Sequence, residues 1–320
     1  MKSTRMLPKI AVVGAGNVGA TCAFTLMMHD LAGEIALINR TVDKAKGEAL
    51  DIAHGVPLLN TTKITYGGFE CCEGAHIVII TIGAAQKPGE TRLKLIQRNT
   101  AIFNEAIPQI VKYAPDSILI IVSNPVDVLT YLAIKLSGFP SSRVIGSGTV
   151  LDTARLRVEM QKTDPCDFRD MNAYVIGEHG DSEVIPMSIV SIGGLFLEPL
   201  GAEYFGGEEK AKEIIAEIGS NVRNAAYEII RCKGSTYYAV SVCVTKIVES
   251  IIKDNRSVLT VSTLLEGEFG ISDVCLSLPC IVGKEGVVTR ISPSINEKEI
   301  EALRASAKSL RKVIDQISTA

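Results

Sequence analysis

No CxxC pair occurs among the eight cysteines of this 320-residue chain, at positions 22, 71, 72, 166, 232, 243, 275 and 280. Cys71 and Cys72 are neighbours, a poor disulfide geometry, and no histidine accompanies Cys275 and Cys280, which flank a strand-like segment. These absences argue against a zinc site. Single thiols at apolar positions read instead as reduced core residues of a cytoplasmic protein. Charge of one sign is also lacking: a net charge of −3 gives no general field for DNA, RNA or anionic membranes. No nucleic-acid or membrane partner is expected, and any anionic ligand has to be held by locally placed arginines. Lys2 and Arg5 precede an apolar stretch over 10–28 that superficially suggests a signal peptide, but Gly14, Gly16, Asn17 and Gly19 interrupt it. No other run of about 18 apolar residues exists, so no transmembrane span is indicated and no address is visible. Internal repeats and low-complexity linkers are missing as well. What remains, 47% hydrophobic and 22% charged, is the composition of an ordinary globular protein with material for a large core.

The first half alternates short β-branched runs with helical stretches. Strands are predicted at 10–13, 34–38, 63–66, 77–81, 118–122 and 144–145, with helices such as 42–54, 93–113 and 126–137 between them. Several strands are apolar without alternation, as expected of parallel strands covered on both faces. This order predicts a doubly wound α/β sheet over 1–147. After Gly148 the pattern changes. A helix at 150–161, a strand-like 172–176, helices at 210–231 and 236–253, and strands around 258–263 and 274–290 predict an α+β domain over 148–320, packed closely on the first. The last helix carries Ile300, Leu303, Ala307, Leu310, Ile314 and Ile317 at alternating three- and four-residue steps. Three heptads admit a coiled coil, but a terminal helix docked on its own domain is the expectation.

Gly14-Ala-Gly16-Asn17-Val18-Gly19 directly follows the first strand and opens a helix. The glycines permit a tight turn and the close approach of backbone N–H groups to a pyrophosphate, and the helix N-terminus adds partial positive charge. The motif starts a βαβ unit whose second strand ends about twenty residues later, where a ribose-binding residue belongs. A dinucleotide is therefore the expected ligand and the sheet is Rossmann-type. That second strand ends in Asn39-Arg40, where NAD-binding units usually have an acid that bonds the ribose hydroxyls and repels a 2′-phosphate. Asn39 keeps a hydrogen-bonding oxygen without the charge. Arg40 either pairs with a phosphate, points to solvent or lies along an adenine. NAD is the expected cofactor, with relaxed use of NADP left open.

Further on, Gly177-Glu-His179-Gly-Asp-Ser182 follows a strand, and Leu151-Asp152-Thr-Ala-Arg155-Leu-Arg157 lies on a helix upstream. Asp152 and Arg155, three apart, share one helix face. An Asp that orients a His and an Arg that forks onto a carboxylate suit hydride chemistry on a 2-keto acid. With GAGNVG at 14–19, TIGAAQKPGETR at 81–92, VSNPVD at 122–127, LDTARLR at 151–157, GEHGDS at 177–182 and KGSTYY at 233–238, the chain resembles the lactate/malate dehydrogenase family over essentially its whole length.

The resemblance implies roles. His179 is the acid/base, giving a proton to the keto oxygen and taking it back in reverse, and Asp152 fixes its tautomer and stabilises imidazolium. Arg155 forms a two-pronged bridge to the substrate carboxylate. Arg92, on the 83–92 segment that resembles the family's mobile loop, brings a cation against the developing negative oxygen. Asn124 bonds near the carbonyl, Val122 and Ser147 lie beside the nicotinamide, Gly83 and Ala84 line the pyrophosphate side, and Thr236 closes the pocket. Gln86 stands where malate-specific members carry an arginine for the second carboxylate. A glutamine leaves that carboxylate unpaired and tolerates a methyl, which favours lactate over malate. The family's habit implies a homo-oligomer, dimeric or tetrameric. Members activated by fructose 1,6-bisphosphate use an arginine and a histidine at a subunit interface; Arg157 matches the first, but Asn172 stands in the place of the second. Rival readings are a malate or broader 2-hydroxy-acid dehydrogenase, a short-chain reductase using Tyr131-Leu-Ala-Ile-Lys135, and a dinucleotide-binding protein without activity.

Overall fold

A computed structural model describes residues 7–84, 92–163, 167–197 and 205–318. The first half follows the strand and helix order read from its periodicity. Strand β1 (Lys9–Val13) leads to helix α1 (Asn17–Met28), then β2 (Glu34–Ile38), α2 (Val42–Gly55), β3 (Lys63–Gly67) and β4 (Ala75–Ile80). After these come α3 (Arg92–Tyr113), β5 (Ile118–Ile121), α4 (Val126–Ser137) and β6 (Val144–Gly146). The six strands pair in parallel in the order β3-β2-β1-β4-β5-β6, the doubly wound arrangement.

The strands are apolar throughout because both faces are buried. Ile10 and Val12 of β1, Ile35 and Leu37 of β2, and Ile77 and Ile79 of β4 enter one core layer with Cys22, Leu26 and Met27 of α1. Ala11 and Val13, Val78 and Ile80, and Leu119 and Ile121 face the opposite layer, with Phe103, Ile107 and Ile110 of α3 and Leu129 of α4. Side chains at successive positions of a strand point to opposite faces, so one uninterrupted apolar run supplies two layers.

The second half begins with α5 (Val150–Thr163) and continues through the short strands β7 (Met171–Asn172), β8 (Ile176–Gly177), β9 (Glu183–Val184), β10 (Ser191–Ile192) and β11 (Leu195–Phe196). Helices α6 (Glu208–Lys233) and α7 (Tyr238–Lys253) are followed by β12 (Ser257–Glu266), β13 (Ser272–Gly283), β14 (Gly286–Arg290) and α8 (Glu297–Ser318). β12 pairs antiparallel with β6 at Ser262↔Gly146 and with β13 along most of its length, so the parallel sheet runs on into the second half as an antiparallel one.

Three expectations are corrected here. The segment 172–176 is not one strand: β7 joins a small sheet with β10 and β11, and β8 joins the main sheet. Between them, threonines of the α5 region take over the backbone bonding. Thr153 Oγ1 accepts the Val175 N–H at 2.9 Å, and Thr149 Oγ1 donates to the Val175 carbonyl. Residues 274–290 form the β13–β14 hairpin, with Cys275 and Cys280 both buried inside β13 rather than flanking it. The helix placed at 236–253 starts at Tyr238, leaving Thr236 in coil. Helix α8 is docked, not coiled: Leu303, Ala307, Leu310 and Ile314 are buried in the same layer as Leu276 and Leu278 of β13.

Among the described residues no helix is long and apolar enough to cross a membrane, no group of three or more His, Cys, Asp or Glu could hold a metal ion, and the cysteines are unpaired. Cys166 lies outside those residues.

Candidate active site

Parallel strands end at one edge of the sheet, and the loops that leave β1, β2, β4, β5 and β6 carry Gly14, Asn39, Gly83, Val122 and Ser147. The glycine loop is tightly built. Gly14 has φ +113°, its N–H bonds the Ile38 carbonyl at 2.7 Å, and a Cβ placed on Gly19 would lie 1.8 Å from the Gly14 oxygen. Only glycine fits at both positions. A Cβ on Gly16, by contrast, would meet nothing within 4 Å. The following helix α1 has no side-chain cap and no acidic residue in its first turn, so its partial positive charge is not neutralised locally. Open space over uncapped N–H groups fits the pyrophosphate of a dinucleotide.

Thr81 locks this loop from the neighbouring strand end, its hydroxyl donating to the Gly14 carbonyl at 2.8 Å. At the end of β2, Asn39 Nδ2 donates to the Thr41 carbonyl at 3.2 Å, which leaves Oδ1 to accept from a ribose hydroxyl. Arg40 is exposed beside it. Asn99 of α3, 2% exposed, accepts the Ala84 N–H at 2.8 Å and donates to the Asn124 carbonyl at 2.8 Å, tying two expected site loops together. Val122 and Ser147 are nearly buried, and the Asn124–Pro125 peptide is cis. Asn17 Nδ2 donates to Ser235 Oγ at 3.3 Å, which brings the coil carrying Thr236 against the glycine loop.

The second constellation forms where β8 ends. His179 Nδ1 lies 2.5 Å from Asp152 Oδ2, and Arg155 Nη1 donates to Asp152 Oδ1 at 2.9 Å. The i,i+3 spacing on α5 makes this possible, since both side chains leave one helix face. The Asp152 side chain is 3% exposed, against 14% for Arg155 and 22% for His179, so the acid is the dry end of the group. Burial alone would raise the Asp152 carboxyl, but His179 and Arg155 outweigh it and hold it below its ordinary value. Burial would likewise lower His179. Asp152, by charge and hydrogen bond, and then Asp127 overcome that and push the imidazole up to about 9, against Arg155. At neutral pH the ring therefore carries a proton on Nδ1, bound to Asp152, and one on Nε2, available to a substrate oxygen.

The loop itself is held by α8. Ser306 Oγ accepts the Glu178 N–H at 3.0 Å and lies 3.0 Å from Ser182 Oγ, whose hydroxyl donates to Glu178. Glu183 is buried with Oε1 unpaired among the described residues, and burial followed by Asp152 pushes its carboxyl up to about 8.

Among the sequence candidates, His179, Asp152 and Arg155 come together. Arg92 is the first residue of α3, and Gln86 lies outside the described residues. Arg157 donates to the Ala173 carbonyl at 3.3 Å, and Asn172 is exposed on β7. Tyr131 and Lys135 do not form a reductase pair. Tyr131 donates to Asp273 of β13 at 3.0 Å, and Arg311 of α8 and Lys135 both bond the same carboxylate. The residues missed in the sequence are Thr81, Asn99, Asp127, Ser262, Glu183 and Ser306. Asp127 alone had a visible signal, an acid set among Val126, Val128 and Leu129 on an apolar helix.

Comparison with known proteins gives the same reading from another side. Residues 8–146 match the model of the lactate/malate dehydrogenase NAD binding domain, and residues 149–320 match that of the family's alpha/beta C-terminal domain. The chain is 49% identical to the L-lactate dehydrogenase of Acetivibrio thermocellus, covering 98% of each protein. It is 48% identical to L-lactate dehydrogenase 1 of Clostridium acetobutylicum over 97% of this chain and 98% of that one. The ligand-bound crystal structure of the minor L-lactate dehydrogenase from Enterococcus mundtii superposes with a TM-score of 0.93 at 37% identity, covering 98% of this chain and 99% of that one. With family models spanning both halves and relatives near one-half identical along nearly its full length, the chain belongs to the lactate/malate dehydrogenase family.

Proposed function

We propose that the protein interconverts pyruvate and L-lactate with NAD as cofactor. The observation that carries this reading is the 2.5 Å contact of His179 with an Asp152 that also binds Arg155 at 2.9 Å. One buried carboxylate thereby aligns a proton donor and a carboxylate-binding cation on the same side of the site. When bound, the nicotinamide supplies the hydride-transfer chemistry; Gly14, Gly16, Asn17, Val18, Gly19, Asn39, Gly83, Ala84, Val122 and Ser147 are the residues that would hold the dinucleotide.

In pyruvate reduction the guanidinium of Arg155 grips the substrate carboxylate and fixes which face of the ketone is presented. His179 holds a proton at Nε2 and releases it to the keto oxygen as negative charge develops there. Asp152 keeps the Nδ1–H tautomer and compensates the charge of the imidazolium before transfer. Asn124 and Arg92 supply further donors to that oxygen, and Thr236 bounds the pocket. In lactate oxidation the neutral imidazole takes the hydroxyl proton instead.

Gln86 supports pyruvate over oxaloacetate for want of a cation, and Asn39 with Arg40 supports NAD with weakened exclusion of NADP. The activity would serve fermentation, reoxidising the NADH of glycolysis in the cytoplasm. The family's habit supports a homo-oligomer, tetramer or dimer. The change of strand direction after β6 supports a boundary near residue 147 between a dinucleotide-binding and a catalytic unit. NADH oxidation assayed with pyruvate and with oxaloacetate tests the reading: pyruvate should be preferred, and preference for oxaloacetate or absence of turnover with both would overturn it.

A further inference from the structure

His179 is held by two carboxylates, and only one of them touches its ring. The other, Asp127, sits in the first turn of α4 and is 2% exposed. Its Oδ2 accepts the His179 backbone N–H at 2.8 Å, and its Oδ1 accepts the hydroxyl of fully buried Ser262 on β12 at 2.6 Å. Neither donor is a cation. A buried carboxylate satisfied only by neutral donors is costly. Burial accordingly raises Asp127 to about 6, against the pull of Ser262 and His179, so it is still ionised at neutral pH.

An amide of the same shape would satisfy both bonds at less expense. Its oxygen would accept from His179, and its NH2 would donate to the Ser262 oxygen. The shape of both contacts is thus open to a neutral group, and the charge is what sets the carboxylate apart. The charge does face the catalytic loop. Around Asp127 stand His179 and Glu178 of that loop, Ser262 of β12 and the buried Cys275 thiol of β13, which burial holds well above its ordinary value. Around His179 stand Asp152 and Arg155 of α5 and Glu183 of β9. Of the groups facing Asp127, His179 alone is a cation at neutral pH.

We propose that Asp127, braced by Ser262, is a positioning residue for proton transfer: it fixes the main chain of His179 from the nucleotide-binding half, and its charge helps keep the imidazole loaded with a proton. This rests on His179 being the acid/base. Below pH about 6 Asp127 takes up a proton and the support lapses; above it the support is present. D127N imposes the unsupported state at every pH while keeping the shape.

The test is kcat/KM for pyruvate from pH 5 to 10 in wild type, D127N and S262A, with NADH affinity and Tm measured alongside. D127N should keep NADH affinity within about twofold and melt no lower than wild type at pH 7.5. Its alkaline limb should move down by about one pH unit, the usual effect of losing a nearby opposite charge. Wild type and D127N should coincide below pH about 7, where both imidazoles are loaded with a proton, and S262A, which leaves Asp127 charged at alkaline pH, should keep the wild-type alkaline limb. An unchanged alkaline limb in D127N would overturn the proposal, and so would a lowered Tm with a wild-type profile, the mark of a purely structural acid. Full turnover in His179→Asn would instead overturn the acid/base reading itself, so the two failures are distinguishable.

Discussion

In the nucleotide-binding half, five expected ligand loops leave the ends of parallel strands: Gly14 follows β1, Asn39 β2, Gly83 β4, Val122 β5 and Ser147 β6. In the catalytic half, His179 draws its partners from 27 residues away at Asp152 and 52 away at Asp127. The first kind of site is a by-product of topology, since a doubly wound sheet delivers all its loops to one edge. The second is assembled from buried charges that no local rule favours, and it is kept together by hydrogen bonds reaching across the fold. The difference teaches that the glycine loop and the His179 cluster should fail separately: damage to either should spare the other's ligand.

The largest separation is expected from His179→Asn. Loss of a positioned acid/base costs about 10²–10⁴ in rate, while NADH affinity, read by fluorescence titration, should stay near wild type. Turnover above about a tenth of wild type would remove His179 from its role. Gln86→Arg tests the segment that lies between β4 and α3 in sequence. A charge partner in a closed site is worth about 2–5 kcal/mol, so the kcat/KM ratio should swing toward oxaloacetate by more than about tenfold. An unchanged ratio would mean that Gln86 does not face the substrate's distal group.

Gly19→Ala should break the comparison from the other side. Its Cβ would be placed 1.8 Å from the Gly14 oxygen, and overpacking of about 1–3 kcal/mol should weaken NADH binding about ten- to a hundredfold. The alkaline break in the rate at saturating NADH should not move. A shifted break would show that the halves are coupled through this loop. The smallest effect belongs to Asn39→Asp, where an exposed charge is worth up to about 1 kcal/mol. NADPH use should fall a few-fold and NADH use should not. Equal rejection of NADPH by wild type and variant would show that position 39 does not read the 2′ group.

Legibility in the sequence follows the same divide. Strand β2 and helix α4 were read with their observed ends, and the strands of the parallel sheet within a residue or two, because apolar runs and glycine punctuation are local signals. The break between β7 and β8 was not legible: Thr149 and Thr153, over twenty residues earlier, satisfy the Val175 backbone, and nothing in the 172–176 pattern announces that. At the site, Asp152 and Arg155 were legible through helix spacing, and His179 through its glycine-rich setting. Asn99, Ser262 and Ser306 were not, since a buried amide or hydroxyl looks in sequence like any polar residue until its partner is in place. Asp127 lay within a quoted motif, and its partners on β12 and in the His179 loop became apparent only once the chain was folded.

The most direct measurement is the pH dependence of both reaction directions in the wild-type enzyme. An imidazole loaded with a proton by Asp152 titrates at about 9, well above its ordinary value of about 6.5. In the proposed mechanism the protonated form reduces pyruvate, so kcat/KM for pyruvate should be level through neutrality and fall as pH rises through about 9. Lactate oxidation needs the neutral form and should rise through the same pH. Mirror-image profiles meeting near 9 are the predicted result. A pyruvate profile already falling at or below pH 6.5, or profiles that do not mirror one another, would contradict the account of His179 held in its charged form by a buried aspartate.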